Sequence, residues 1–180
     1  MLRWSGRVGV HLVFASETRM THTVVVMGVS GVGKSTIGAL LAARLDLAFV
    51  DGDQLHSASN KAKMAAGKPL DDADRAPWLD AVAKVLSAGQ VIVACSALKR
   101  KYRDTLRNAA PEVRFVYLSG ARSLLEDRLA ARSHEYMPPG MLASQLEALE
   151  PPDACEASLK IDIRNSPIEI VDIAAKWLAQ

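Results

Sequence analysis

The stretch VVVMGVSGVGKSTIGALLAARL, Val24 to Leu45, decides the fold. Val24, Val25, Val26 and Met27 read as a buried strand, and Thr36 to Leu45 reads as a helix. Between them Gly28, Val29, Ser30, Gly31, Val32, Gly33, Lys34 and Ser35 match the phosphate-loop pattern G-x-x-x-x-G-K-[ST] in its strand-to-helix setting. Glycine permits backbone conformations closed to other residues, so consecutive N–H groups can point inward at phosphate oxygens. The helix N-terminus adds partial positive charge to the same anion. Lys34 is expected to reach the β- and γ-phosphates, and the Ser35 hydroxyl to hold the magnesium that bridges them. The plainer alternative is a glycine-rich turn carrying a surface lysine; every fixed position of the motif favours the phosphate site.

The chain of 180 residues fits one domain with one buried core. Its 22 Lys and Arg against 20 Asp and Glu give a formal charge of +2. With no basic run or aromatic-basic stripe, nothing in it suggests a nucleic-acid surface. Cys95 and Cys155 are too few for a disulfide framework, and a buried Cys95 in a reducing cytoplasm fits that count. No apolar stretch approaches the roughly 20 residues of a membrane span. Residues 1–22 faintly resemble a signal peptide, but His11 interrupts the apolar patch and a phosphate loop needs cytosolic nucleotide. They are expected to be a disordered extension, with Met20 as a possible start, leaving 23–180 as the folded domain.

Further apolar runs end in polar residues: Leu47 to Val50 before Asp51-Gly52-Asp53, Gln90 to Cys95 before Ser96 to Lys99, Val113 to Leu118, and Leu159 to Ile163. Continuous apolarity points to strands buried on both faces. The segment DDADRAPWLDAVAKVLSAG has capping aspartates, Pro77, an apolar set of Trp78, Val82, Val85 and Leu86, and Gly89 as its stop, which predicts a helix. Strands alternating with helices predict a parallel α/β sheet with ligands at the carboxyl ends of the strands. From Ser123 to Glu150, two helical stretches flank RSHEYMPPG and suggest a hinged flap. Arg128 and Arg132, four apart, share a helix face and could stabilise charge on a triphosphate; a solvated arginine face is the alternative.

Asp53 follows the second strand at the same sheet edge as the phosphate loop. It is a candidate to orient an attacking hydroxyl toward the γ-phosphorus, with Asp51 competing and a turn-capping role open to either. His56, Arg75, Lys99, Tyr102 and Arg103 lie near strand ends. Arginine suits a carboxylate or phosphate and Asp and His suit hydroxyls, so the expected acceptor is a polyhydroxy acid. Singly, each could be a surface loop or helix charge.

Four blocks then carry a resemblance: VMGVSGVGKST, then DGDQLH with NKAKMAAGKPLDDADRAPWL, then CSALKRKYRDTLR, and RLAARSHEYMPPGMLASQLEALE. In that order they resemble the gluconate kinases of the adenylate-kinase-like phosphate-loop group, across nearly all of Val24 to Glu150. The resemblance implies ATP-dependent phosphorylation of D-gluconate to 6-phospho-D-gluconate, Mg²⁺ dependence, a parallel sheet of order 2-3-1-4-5 and a homodimer. It places ATP phosphates on Gly31, Gly33, Lys34, Ser35 and Thr36 and the acceptor hydroxyl at Asp53. Arg128 and Arg132 fall in a mobile helical lid of about 123–150, and His56, Arg75, Lys99 and Arg103 in the gluconate pocket. His134 and Gln145 match the lid pattern, His134 being taken with the acceptor-binding residues and Gln145 carrying no assigned role. The loop Arg164 to Pro167 is expected over the adenine, with Asn165 among the nucleotide-binding residues. Lys61 and Leu146 depart from the family pattern, where apolar and aromatic residues are more usual.

Among sister kinases, a shikimate kinase would show a glycine triplet after the third strand, where this chain has Cys95 to Lys99. An adenylate kinase would have Gly-Thr after the loop lysine, where this chain has Ser35-Thr36. A nucleotide switch without catalysis would need neither Asp53 nor the cationic pocket.

Overall fold

The computed structural model of the chain describes residues 22–131 and 139–180, the side chains of residues 139 and 140 excepted. The expectations for residues 1–21, Arg132 and His134 lie outside the described residues. Strand β1 (Thr23–Met27) is central because of its composition: Val24, Val25, Val26 and Met27 are each 0 % exposed. An extended chain sends successive side chains to opposite faces. Val24 and Val26 enter one core with Ile37, Leu41 and Val116, while Val25 and Met27 enter another with Trp78, Val82 and Phe115. A strand apolar on both faces belongs inside a sheet covered by helices on each side.

The other strands are β2 (Ala48–Asp51), β3 (Val91–Ala94), β4 (Arg114–Ser119) and β5 (Ser158–Asp162). Every neighbouring pair is parallel, in the order β2-β3-β1-β4-β5. Val25 sits opposite Val93 on one side and Phe115 on the other, so β1 is in register with both neighbours. This is the order the resemblance implied, and each expected apolar run became a strand within a residue or two. The chain leaves β1 toward β2 but leaves β3 in the other direction, toward β4. A divergence of that kind opens a crevice at the carboxyl ends of the two strands.

Helices α1 (Lys34–Leu45) and α7 (Pro167–Leu178) cover the first core with Ile37, Leu41, Ile170, Ala174 and Leu178. Helices α3 (Asp72–Ser87) and α4 (Arg100–Ala109) cover the second with Trp78, Leu79, Leu86, Tyr102 and Leu106. The remaining described helices are α2 (Ala58–Ala65), α5 (Arg122–Ala130) and α6 (Pro139–Ala148). Sequence signals account for the ends of α3: Asp71 and Asp74 form a reciprocal capping box, with bonds of 2.8 and 3.2 Å. Gly89, at φ 72°, ends the segment. Among the described residues no helix is long and apolar enough to cross a membrane. Cys95 is fully buried, and burial pushes its thiol up to about 12, which leaves it inert.

Candidate active site

The phosphate loop is held at its start by a close backbone approach. Gly28 has φ 135° and donates its N–H to Ser96 O at 3.3 Å; a Cβ there would meet Leu118 O at 2.5 Å. No L-residue with a side chain fits that space. Val29 and Val32 point into the core, 3 and 1 % exposed, so only their backbone can serve a ligand. Helix α1 begins after Gly33, at φ 94°, with no side-chain cap. Lys34 Nζ donates to Val29 O at 3.2 Å, folded over the loop.

A cavity of about 540 Å³ opens in front of these groups, lined by Ser30, Gly31, Gly33, Lys34, Ser35 and Thr36 from the loop side and by Asp51, Asp53, Gln54 and Lys61 across from it. The two aspartates have different places. Asp51 Oδ1 accepts the Asp53 N–H at 3.0 Å and caps the 3-10 turn Gly52–Leu55. Asp53 is exposed and also borders a second cavity. Lys61, a departure from the family pattern, donates to Gln54 O at 2.9 Å on the rim.

The second cavity, of about 120 Å³, runs from Ser30, Lys34 and Asp53 to His56, Lys68, Leu70 and Arg75, with Ser96 on one side and Met141, Ser144 and Gln145 of α6 on another. His56 is buried and stacks on Trp78, ring centroids 4.4 Å apart and planes 11° from parallel. Trp78 is fixed in turn by its Nε1–H bond to Gly52 O at 2.7 Å. Burial, with the charges of Arg75 and Lys61, lowers the His56 pKa against the opposing pull of Asp53, so the ring is neutral at pH 7. Its Nδ1 is buried and has no hydrogen-bond partner among the described residues. Arg75 donates to Leu70 O at 2.5 Å and lies 5.8 Å from the Tyr102 ring centroid.

Lys99 stands one step further out. It borders a neighbouring cavity of about 280 Å³ that shares Leu70, Arg75, Ser144 and Gln145 with the second. There it pairs with Asp72 at 3.1 Å, alongside Lys101 and the Tyr102 hydroxyl, and these donors hold the Asp72 carboxyl well below the usual range.

Arg103 corrects the sequence reading. It was expected in the acceptor pocket, yet it is 0 % exposed and borders none of these cavities. Its Nε and Nη2 donate to Glu156 at 2.5 and 2.8 Å, and its Nη1 to the carbonyls of Ala97, Leu98 and Glu150 at 3.1, 3.2 and 2.9 Å. Burial raises the Glu156 pKa, but the Arg103 bonds and the Asp153 N–H outweigh it and the net shift is downward. The guanidinium therefore ties the loop after β3, where Ala97 sits at φ 44°, to the segment that leaves α6.

Arg128 was expected to face the triphosphate. It does not border the 540 Å³ cavity; its Nη2 donates to Ile163 O at 2.8 Å, on the side of the β5–α7 turn. In that turn Asn165 Nδ2 donates to Asp162 O at 2.9 Å. Leu125 and Leu129, the apolar stripe beside Arg128, lie against Gly31, where a Cβ would find Leu129 Cγ at 3.2 Å. Gln145 Oε1 accepts the Ser30 N–H at 2.7 Å, and its Nε2 donates to Ser30 Oγ at 3.0 Å. Gln145 stood out in the sequence only through its match to the lid pattern, and no charge or spacing there marks its contact with Ser30, 115 residues away.

A phosphate loop ahead of one cavity, with a second cavity for a small acceptor against it, defines a phosphate-loop kinase of small molecules. The shikimate kinase family model matches residues 30–149. The thermoresistant gluconokinase of Escherichia coli (strain K12) is 42 % identical over 153 residues, 82 % of this chain and 87 % of that protein. The gluconokinase of Gluconobacter oxydans (strain 621H) is 42 % identical over 154 residues, covering 83 and 86 %. The chain belongs to the gluconokinase family, within the wider shikimate-kinase-like group. Among solved structures, a gluconokinase from Sinorhizobium meliloti 1021 superposes with a TM-score of 0.84 at 44 % identity over 89 % of this chain and 93 % of that one. The shikimate kinase of Aquifex aeolicus, at 18 % identity and a TM-score of 0.55, shares the fold alone.

Proposed function

We propose that this kinase transfers the γ-phosphoryl group of ATP to the terminal hydroxyl of D-gluconate, giving ADP and 6-phospho-D-gluconate. The observation that carries the reading is the common wall: Ser30, Lys34 and Asp53 border both the phosphate cavity and the acceptor cavity. A hydroxyl oriented by Asp53 therefore lies beside the γ-phosphorus held by the loop. As the new P–O bond forms, the bond from γ-phosphorus to the β–γ bridging oxygen breaks and ADP leaves. The hydroxyl proton passes toward Asp53. Lys34 and the loop amides neutralise charge on the transferring group.

Magnesium is supported by the donor set, since Ser35 lines the same cavity as Asp51 and Asp53, and these side chains offer the hard oxygens suited to it. Bound there with the phosphates, it would supply charge neutralisation. Arg75 suits the sugar-acid carboxylate. His56, its Nδ1 sealed, is best used as a neutral Nε2–H donor to an acceptor hydroxyl, because an orphaned N–H is rarer than an orphaned acceptor. Lys99, held by Asp72, acts at the outer edge. Arg128 and Asn165 serve the nucleotide from the β5–α7 side. Helices α5 and α6 form the arms of the lid, which carries the assignments to Arg132 and His134. The reading includes a cytoplasmic setting and a homodimer, for which exposed Leu40, Ile168 and Ile173 on α1 and α7 offer apolar surface.

The test is ADP release with gluconate, shikimate and AMP as separate acceptors. Gluconate is expected to turn over at least about 100-fold faster than either other acceptor, the scale on which a site built for one set of polar groups rejects another. Preference for shikimate would move the chain to the sister activity, and no turnover with any would make it a nucleotide-binding protein.

A further inference from the structure

Two helices from the second half of the chain rest on consecutive residues of the phosphate loop. Helix α5 sets Leu125 and Leu129 against Gly31. Helix α6 sets the Gln145 carboxamide against Ser30, meeting both its N–H and its hydroxyl oxygen. The orientation of the carboxamide follows from chemistry, because a backbone N–H can only donate and so must face Oε1. Two further consequences follow. The Ser30 N–H is satisfied by protein, leaving the amides from Gly31 onward for phosphate. The Ser30 hydroxyl accepts from Nε2, so its own hydrogen points elsewhere, and Ser30 lies on the wall common to both cavities.

The same turn of α6 supplies Met141, Ser144 and Gln145 to the acceptor cavity. Ser144 Oγ is spent on Met141 O at 2.9 Å, so among the described residues the polar contact from this face of α6 to the phosphate loop is made by Gln145. We propose that Gln145 is a positioning residue that fixes the α6 wall of the acceptor cavity to the phosphate loop, so that the cavity takes its shape only with α6 seated on Ser30. The proposal rests on the gluconate reading for the identity of the acceptor, and on geometry alone for the latch.

Gln145→Met keeps the length and apolar bulk of the side chain and removes both hydrogen bonds; Gln145→Ala removes the bulk as well. Two readouts are paired. In the unliganded protein, exchange of the Ser30 amide with solvent deuterium is expected to speed up about tenfold in Gln145→Met, as loss of its acceptor implies. In steady-state kinetics the KM for gluconate is expected to rise about tenfold in both variants, while the KM for ATP stays within about twofold. A merely structural role would weaken both substrates together. Unchanged Ser30 exchange in Gln145→Met, or an ATP KM that rises with that for gluconate, overturns the proposal. A wild-type enzyme inactive on gluconate refutes the substrate reading while the exchange measurement still decides the latch.

Discussion

At the scale of single residues, the proposed function divides groups that would hold phosphate from groups that would hold the acceptor, and substitutions should separate them. Asp53→Asn keeps the shape but removes the anionic acceptor of the hydroxyl proton. It is expected to lower kcat by about 100-fold or more while the ATP dissociation constant stays within about twofold, measured by single-turnover kinetics and nucleotide titration. Arg75→Ala is expected to raise the KM for gluconate about 10- to 100-fold, the range for a lost charged hydrogen bond, with a smaller effect on kcat. His56 gives a pH signature. Its folded-state pKa is depressed by burial, then by Arg75 and Lys61, with Asp53 opposing. The unfolded chain therefore takes up the proton first as pH falls, and the His56 contribution to stability declines below the ordinary histidine range. In the kinetics, the KM for gluconate should stay flat down to pH 6.5 and rise only below it, because protonation leaves the Nε2–H in place but adds a buried Nδ1–H and a charge that the described pocket does not match; His56→Gln should abolish that acid limb in a pH profile. The loop residues that line the larger cavity were legible in the sequence because they are consecutive and fall in one motif. Asp53 was legible only as one of two carboxylates: which of them caps the turn depends on a 3.0 Å bond that spacing does not encode.

At the scale of elements, Arg103 shows why a helix must be read on all its faces. Arg103, Leu106 and Ala110 fall three and then four apart, and all three are buried. A cation on the apolar stripe was the available signal, but its partner Glu156 lies 53 residues away, and no local pattern connects them. Burying a guanidinium is tolerable only when its donors are matched, and here five bonds do so. Arg103→Ala is expected to destabilise the fold by about 3–5 kcal/mol in denaturant unfolding, because it leaves the Glu156 carboxylate buried and unpaired. Gluconate KM, measured on the fraction that stays folded, should move far less than in Arg75→Ala. Because the net Glu156 pKa is lowered, this stabilisation is fully present above the ordinary carboxylate range and is lost as pH falls below that range through the lowered folded-state value. The inner strands β1, β3 and β4, by contrast, were readable to within a residue or two, since burial on both faces leaves no choice but continuous apolar runs; the edge strands β2 and β5 are only partly buried, against the expectation for them.

For the molecule as a whole, the parallel sheet brings the ends of β1, β2 and β3 to one rim, and the phosphate and acceptor cavities are two halves of that rim with Ser30, Lys34 and Asp53 between them. Each substrate should therefore stabilise the native state. At about 100 times its dissociation constant, a non-hydrolysable ATP analogue is expected to add about 2.7 kcal/mol, or about 5–10 °C in thermal unfolding for a chain of this size. Gluconate added with it should raise the midpoint further, and by more than gluconate alone. Other features ask to be seen in the nucleotide's presence too. Helices α2, α3 and α7 begin with a Ser or Asp side chain bonded to the first turn, and α4 has the Glu150 carboxylate on its Arg100 N–H, whereas α1, like α5, begins with no side-chain cap. The opening turn of α1 is thus left without a side-chain cap, and on the proposed function the polyphosphate would be that cap. Occupancy of the site should register as slowed deuterium uptake over residues 34–36, the amides ahead of the first intrahelical bond from Ile37 N–H to Gly33 O, whatever the acceptor is doing, making this one helical turn a built-in reporter of the loaded enzyme.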